Sequence, residues 1–451
     1  MTDVDLASGG VPPPDAELEA ESAPDLTAAS VAADVIPPEI LAGSLAEYLR
    51  AWASRVRGGD AGILPVAIAL VAVSAVFTVV SPGNVFLSPR NLVNLFDQST
   101  VFIVLAMGEG FVLLLGEIDL SIGYVAAIGG IVTANMVQPG LNIPWPLAIA
   151  AGIATCAGIG AIHGIIITRL RMPAFVVTLA GYLLWFGVMI IILGPAGGVG
   201  ITSGVIANQQ ALYGIVYSYI DPTLAWIGLA ILIAVVAAAM WLSDAARRRK
   251  GLVAPPPGLT ALKILAVAAA GIAVVAICNV NRGSFLPIIG VPWVVPLVVV
   301  VLVMWTVLLE RTPFGRHVYA VGGNAEAARR AGIDVSRIRT LGFVLCSATA
   351  GVAGVIYCSQ LGGMTTNING GQLVLYAVAA AVIGGTSLFG GRGRAIHGLL
   401  GGLVIGAIYN GLYLLGMPIQ YQLIATGLVL LAAVSVDSLS RRGSVTAGAR
   451  A

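Results

Sequence analysis

GEIDLSIG occupies Gly116 to Gly123, where it separates two apolar segments of the chain. Its Glu117 and Asp119 stand at the end of the first apolar segment, and Glu109 lies about two helical turns earlier. A carboxylate at the centre of a membrane helix costs about 2.5 to 3.5 kcal/mol, so these groups require water, a polar partner or a helix N-terminus. The pattern predicts a helix break, and acidic groups at such a break indicate a membrane protein that passes a polar solute.

The same stretch supports two compatible interpretations. In the first, Asp119 or Ser121 is the N-cap of the next helix, and the carboxylates lie at the positive end of its dipole. In the second, the break brings Glu117, Asp119 and Ser121 to the path of a transported solute. The second interpretation makes these three residues candidates for lining a translocation path.

Composition places most of the chain in a membrane. Apolar residues make up 58% of the 451 residues and charged residues only 10%, against about 25% charged in a typical soluble domain. The predicted fold class is an all-α polytopic membrane protein, with its transmembrane domain over residues 61–438. About 12 transmembrane helices are expected, from segments near the roughly 20 residues that a span requires: Ile63–Val80, Thr100–Leu115, Ser121–Val137, Pro144–Thr168, Pro173–Leu193, Thr223–Leu242, Leu259–Val280, Val291–Leu309, Leu341–Leu361, Leu373–Phe389, Ala395–Leu415 and Ile419–Val436.

The two ends of the chain differ from this apolar body. Residues 1–40 are rich in Ala, Pro, Asp and Glu and are predicted to form a disordered cytoplasmic tail. Residues 41–60 contain LAGSLAEYLRAWASRVR, whose apolar side chains share one helical face. This face predicts an amphipathic helix on the membrane surface, with a plain cytoplasmic helix as the alternative. Residues 439–451 are predicted to form a second cytoplasmic tail.

Positive charge predicts the orientation in the membrane. With the N-terminus in the cytoplasm, alternation of the segments places all of the 23 Lys and Arg residues inside except Arg90 and Arg282. The reverse orientation would invert nearly every basic loop. Both termini are therefore expected on the cytoplasmic side.

A second polar signature, VIGGTSLFGGRG, spans Val382 to Gly393 and lines up with the first. In it, Thr386 and Ser387 replace the acids. Further on, AIHG with MPAFVVTLAG is echoed by AIYNG with MPIQYQLIATG, which includes Asn410. Weakly repeated halves of this kind are common in transporters, although chance similarity among Gly-rich apolar segments is the alternative. Thr386, Ser387 and Asn410 join the candidate path residues, and Asn410 can equally join neighbouring helices by hydrogen bonds.

The largest basic loop, Glu310 to Thr340, carries the signature of a short helix. Asn324 is a favourable N-cap, Glu326 lies in the first turn, and Gly332 follows as the stop. Ordinary positive-inside chemistry explains the two arginines in the last turn, but not the cap, the alanines and the stop together. We expect a helix of about two turns on the cytoplasmic face to be a binding site for a soluble partner.

The remaining chemistry is sparse. The four cysteines lack CxxC spacing and the three histidines are scattered, so no disulfide framework, metal site or catalytic cluster is predicted. Lys250 and Lys263, the only lysines, do not lie in a GxxxxGK[ST] P-loop. The chain is therefore not predicted to be an enzyme or to bind a cofactor. The energy for transport must therefore come from another polypeptide or from an ion gradient. Glu109, Glu117 and Asp119 offer titratable groups for coupling to such a gradient.

At these elements the chain resembles the permease subunits of bacterial ATP-binding cassette importers for monosaccharides, the ribose, xylose and galactose group. The resemblance extends from about Asn91 to Arg442 and rests on GEIDLSIG, MPAFVVTLAGYL, FGRHVYAVGGNAEAARRAGI and VIGGTSLFGGRG in that order. Glu117 and the RRRKGL segment at Arg247–Leu252 are most similar to xylose permeases. The chain departs from the family at Val374–Tyr376, where an acidic triplet is usual.

The resemblance implies a homodimeric, multi-pass subunit of the bacterial cell membrane that moves a monosaccharide, a pentose such as D-xylose, into the cell. It implies two further partners: a cytoplasmic cassette ATPase, which holds the ATP and Mg, and an extracytoplasmic sugar-binding protein. In this picture Asn324–Ile333 is the coupling helix. The residues expected to couple to the ATPase are Gly315, Arg316, Asn324, Glu326, Ala327, Ala328, Arg329 and Gly332. No nucleic-acid partner is expected, and an ion-gradient-driven secondary transporter of a small polar solute is the alternative.

Overall fold

The computed structural model describes residues 44–57, 62–201, 207–428 and 431, and the predicted tails at 1–40 and 439–451 lie outside these ranges. From the N-terminus the helices are α1 (Leu45–Arg57), α2 (Leu64–Val80), α3 (Pro89–Leu114), α4 (Ile122–Met136), α5 (Trp145–Arg169), α6 (Ala174–Leu193), α7 (Ala207–Tyr217) and α8 (Pro222–Arg249). They continue as α9 (Pro257–Cys278), α10 (Val294–Arg311), α11 (Pro313–Gly323), α12 (Ala325–Arg330), α13 (Val335–Leu361), α14 (Gly370–Ile383) and α15 (Ala395–Leu414).

Four short strands form two antiparallel pairs in the described ranges. Strand β1 (Gly198–Gly200) pairs with β4 (Gly363–Thr365), and β2 (Tyr219–Ile220) pairs with β3 (Val291–Pro292). These pairs lie in the connections between helices and satisfy backbone groups there. The predicted all-α class is therefore confirmed, with strands confined to loops.

Within the described ranges, eight helices are long and apolar enough to cross a membrane: α3, α5, α6, α8, α9, α10, α13 and α15. The helices α2, α4 and α14 are apolar but shorter. A helical stretch at 419–428 coincides with the start of the last predicted segment, whose remainder lies largely outside the described residues. Each of the twelve predicted segments thus coincides with a helix, and the chain is a multi-pass membrane protein.

The short helices are the main difference from twelve full spans. Helix α4 has 15 residues and α14 has 14, which gives lengths of about 22 and 21 Å at 1.5 Å per residue. A bilayer's hydrocarbon core is about 30 Å thick. Both helices are short because each adjoins an irregular segment, 115–121 before α4 and 384–394 after α14.

The buried centre of the molecule is made by α3, α4, α13, α14 and α15, and α5 packs along α13. Small residues permit this close packing. At Gly354 of α13 and Gly402 of α15, for example, an added Cβ would collide with Ala126 and Ile103 respectively. The central helices are therefore held at distances that only glycine allows.

Helices α8 and α9 form a peripheral hairpin whose surface is mostly exposed. The hairpin meets the centre through a small apolar cluster that includes Val93 of α3 and Cys278 of α9. At the same end, Arg282 donates a hydrogen bond to the Gly290 carbonyl at 3.0 Å, and its guanidinium carbon lies 5.3 Å from the Tyr219 ring centroid. The hairpin is thus attached at the edge of the bundle.

Basic residues concentrate at one end of the bundle. At this end α3, α5, α8 and α10 finish, α13 begins, and α11 and α12 stand beyond the membrane helices. The opposite end carries Arg90 and Arg282. The structure thus places the basic loops at one end of the bundle, as the predicted alternation requires. It also adds α11, an eleven-residue helix that was not predicted within the Glu310–Thr340 loop.

Candidate functional site

Helix α12 has the predicted cap and stop. The Asn324 side-chain oxygen accepts the N–H groups of Glu326 at 3.1 Å and Ala327 at 2.9 Å. Gly332 follows with a φ of +83°, a conformation that favours glycine. Ala328 is buried while Ala327 is exposed. The side of the helix that carries Ala328 therefore packs against the protein, and the side that carries Ala327 faces outward.

The arginines of α12 are held by its own acid. Glu326 forms salt bridges with Arg329 and with Arg330, the second at 3.2 Å. All three side chains are more than half exposed, so these pairs add little to stability. They order the outward face of the helix.

Helix α11 connects α12 to the end of α3 and to the 384–394 segment. Gly391 donates its N–H to the carbonyl of Leu114, the last residue of α3, at 2.9 Å. A Cβ on Gly322 would collide with the same carbonyl. The Tyr319 hydroxyl donates to the Gly393 carbonyl at 2.7 Å, and burial raises the pKa of this phenol above its usual range. A displacement of α11 must therefore disturb the end of α3 and the 384–394 segment together.

A salt bridge adds to this connection. Arg394 Nε lies 2.8 Å from a carboxylate oxygen of Glu310, near the end of α10. The hydrogen bond that Arg394 donates to the Glu310 carboxylate raises the pKa of Arg394 above its usual value. The contact ties the start of α15 to the helix that leads into α11.

Glu109, Asp119 and Ser121 are buried, and hydrogen bonds connect them in the turn that precedes α4. Glu109 accepts the Asp119 N–H at 3.0 Å, and one Asp119 oxygen accepts both the N–H and the hydroxyl of Ser121, at 2.9 and 2.6 Å. The Cys346 sulfur of α13 lies 3.8 Å from Glu109 and 3.9 Å from Asp119. Ser121 stands at the N-cap position of α4, but its side chain accepts no helical N–H. The capping expectation is thus wrong for Ser121, because its backbone has φ −95° and ψ −12° rather than the extended conformation of a capping residue.

A histidine extends this buried network. Trp185 donates its indole N–H to His163 Nε2 at 3.0 Å, and His163 Nδ1 lies 3.5 Å from the Ser121 hydroxyl. Because indole can only donate, Nε2 is the accepting nitrogen, and a neutral His163 carries its proton on Nδ1. The polar chain therefore runs from α6 through α5 to the turn before α4. Sequence reasoning missed it, since its members are far apart in the chain.

Glu117 differs from Asp119 in being partly accessible. It forms a salt bridge of 3.4 Å with Arg339 of α13. It also lines a cavity of about 780 Å³ at the basic end, between the end of α5 and the start of α13. Glu117 is the predicted path residue that lines this cavity.

The other three predicted path residues are buried and apart from the acidic turn. Thr386 and Ser387 lie within the 384–394 segment, where the Ser387 N–H donates to the Arg392 carbonyl at 2.9 Å. Asn410 joins α15 to α3 through Asn91 at 2.9 Å and Gln98 at 3.1 Å. The structure brings the two irregular segments into contact at Gly116 and Phe389, but it does not gather all six residues around one space.

A smaller cavity of about 400 Å³ lies between α6 and α14. It has a polar edge, in which the Asn369 side chain caps α14 by accepting the Gln372 N–H at 3.0 Å, and Gln372 donates to the Tyr376 hydroxyl at 2.6 Å. The lining residues are Leu120, Leu179, Tyr182, Asn369, Gly371, Gln372, Val374, Leu375 and Leu423. Amides and a tyrosine beside leucines suit a ligand with both hydroxyls and an apolar ring face. Two of the residues, Val374 and Leu375, belong to the triplet at which the chain departs from the resembled family.

Broken helices, a buried polar turn and a capped helix at the basic end are the main features of this polytopic membrane protein. The family model described as the branched-chain amino acid transport system / permease component matches residues 91–246 and 257–434. The chain belongs to this permease family, and it is therefore a transport component rather than an enzyme.

Sequence relatives agree with this assignment. The chain is 34% identical over 380 residues to the xylose transport system permease protein of Escherichia coli strain K12, covering 83% of this chain and 91% of the relative. It is 31% identical to the ribose import permease protein (82% and 92% covered) and 29% identical to the D-allose transport system permease protein (82% and 90% covered) of the same strain. No solved structure matches the chain. The predicted resemblance to monosaccharide permeases is confirmed.

Proposed function

We propose that the chain is the membrane subunit of an ATP-driven importer that moves a monosaccharide, a pentose such as D-xylose, into a bacterial cell. The observation that carries this proposal is 34% identity, across most of both chains, to a permease whose name specifies xylose. Relatives named for ribose and allose are similar at 31% and 29%. The narrow spread of identities favours a monosaccharide as the class, and the xylose permease ranks above the other two.

The site geometry supports energy input from a separate subunit. Helix α12 exposes Ala327 and its arginines, and α11 joins it to the end of α3 and to the 384–394 segment. A cytoplasmic cassette ATPase that moves α12 would thereby move the end of α3 and the 384–394 segment. ATP and Mg would be held by that partner, and no cofactor by this chain. The predicted coupling residues Gly315 and Arg316 lie at the start of α11, where the Gly315 N–H bonds the Thr312 side chain at 3.2 Å.

The basic end faces the cytoplasm, because positive residues concentrate there. Two copies of the chain form the permease, and an extracytoplasmic sugar-binding protein delivers the sugar at the opposite end. The smaller cavity is the favoured place for sugar contacts, since it combines Tyr182, Asn369 and Gln372 with leucines.

Sugar uptake tests the substrate. A strain lacking its own pentose permeases should take up labelled D-xylose when it expresses this chain with the matching ATPase and binding protein. Unlabelled xylose should compete better than ribose or allose. Stronger competition by ribose or allose would show that this sugar, and not xylose, is the substrate. Competition by branched-chain amino acids alone would contradict a sugar permease.

A further inference from the structure

The larger cavity, of about 780 Å³, carries an excess of positive charge. It lies between the end of α5, the start of α6, the start of α13 and one side of α12. Its charged lining consists of Glu117, Arg171, Arg329 and Arg339. Three arginines therefore face one carboxylate across a space large enough for a small ligand.

The arginines are incompletely paired. Arg339 lies 3.4 Å from Glu117, but its Nε is buried and has no hydrogen-bond partner in the described part of the chain. Arg171 has no hydrogen bond or salt bridge to any described residue. Its backbone adopts a φ of +55°, which is unusual for a residue other than glycine. Arg329 forms a salt bridge with Glu326 on the outer side of α12. Donor groups thus remain available to an anion entering the cavity.

The surroundings of the cavity indicate the kind of anion. Arg171 lies within the short connection between α5, which ends at Arg169, and α6, which begins at Ala174, at the level where membrane helices finish. Beside it, Leu170, Met172 and Phe175 are exposed apolar side chains. An arginine-lined space at this level, next to exposed apolar residues, is the arrangement that basic pockets between membrane helices use for anionic headgroups.

We propose that this cavity binds a phosphate-bearing anion, supplied either by the headgroup of an anionic phospholipid or by a soluble phosphate ester. Guanidinium groups match phosphate oxygens with paired hydrogen bonds and remain charged at physiological pH. An anion bound there would join Arg171 of the α5–α6 connection to Arg329 of α12. The ligand would therefore act on the position of α12, whatever solute the protein carries.

The test uses the purified full-length protein and its thermal unfolding. Phosphatidylglycerol in mixed micelles should raise the Tm of the wild type more than phosphatidylcholine does, because a ligand of the folded state stabilises it. Arg171→Gln and Arg329→Gln should each lose at least about half of this gain. Arg330→Gln is the matched control, since it removes the neighbouring arginine of the same Glu326 cluster without touching the cavity. It should retain the gain.

Two further arms complete the test. Glycerol phosphate replaces the lipid in one of them, and a gain that depends on Arg171 and Arg329 with this probe assigns the site to a soluble phosphate ester. The Tm of each variant without ligand shows that it is folded, and the exposed Arg329→Gln keeps the test available if Arg171→Gln unfolds. Equal phosphatidylglycerol gains in wild type and all variants, or no excess over phosphatidylcholine together with no effect of glycerol phosphate, would overturn the proposal.

Discussion

At the scale of single residues, Asp119 is the most constrained polar group of the acidic turn. It is fully buried, and one of its oxygens accepts two hydrogen bonds from Ser121. Its own N–H is bound by Glu109. The carboxylate therefore fixes the shape of the turn that starts α4, whether or not it meets the solute.

Replacing Asp119 tests this role. Asp119→Leu removes the acceptor and leaves the Ser121 N–H and hydroxyl buried without it, at about 1 to 3 kcal/mol for each unsatisfied group. Asp119→Asn keeps a side-chain oxygen in place. We expect the leucine variant to insert into the membrane but to lose transport, and the asparagine variant to retain more. Membrane yield, Tm and sugar uptake measure these effects, and full uptake by Asp119→Leu would contradict them.

Gly322 offers a second test at this scale, with its neighbour as the control. A Cβ on Gly322 would collide with the Leu114 carbonyl, whereas Gly323 has open space around it. Gly322→Ala should therefore lower the Tm and weaken the contact between α11 and α3, and Gly323→Ala should be nearly neutral. Equal Tm values for the two variants would show that this contact is not tight in solution.

At the scale of elements, α12 is the part whose role the proposal depends on. Ala327 is exposed, so Ala327→Arg should fold normally and obstruct a partner that fits against the helix. Gly332→Leu places a side chain at a φ of +83° and should distort the end of the helix. Both variants should insert but lose co-purification with the ATPase.

The matched control for Ala327→Arg is Ala320→Arg, which adds the same charge to an exposed position on α11. It should co-purify with the ATPase as the wild type does. Loss of the ATPase by both arginine variants would point to charge rather than to the surface of α12. Retention by both would remove α12 from the interface.

The elements show where sequence reasoning succeeds. The membrane helices were predictable because apolar length alone decides them, and the Asn324 cap was predictable because its partners are two and three residues away. Helix α11 was missed although Phe314, Val318 and Val321 follow a helical period, because three of its eleven residues are glycines, which have a low helix propensity. The contacts of Asp119 with Cys346 were not predictable, since 227 positions separate the two residues.

At the scale of the whole molecule, the separation of basic and neutral ends makes a topological prediction. Gly200 lies in β1 and Gly323 ends α11, at opposite ends of the bundle, and both are exposed. In intact cells, Gly200→Cys should react with a membrane-impermeant maleimide and Gly323→Cys should not. The four native cysteines are buried and provide a low background. Labelling of Gly323→Cys from outside would show that the orientation is the reverse of the proposed one.

The source of energy is the central claim, and reconstitution tests it most directly. The chain, the cassette ATPase and the sugar-binding protein are placed in vesicles, and xylose uptake is measured together with ATP hydrolysis. We predict that xylose-loaded binding protein stimulates hydrolysis and that uptake requires ATP, the ATPase and an intact α12. Uptake that persists without the ATPase, and stops when the proton or sodium gradient is dissipated, would contradict an ATP-driven permease and establish a secondary transporter.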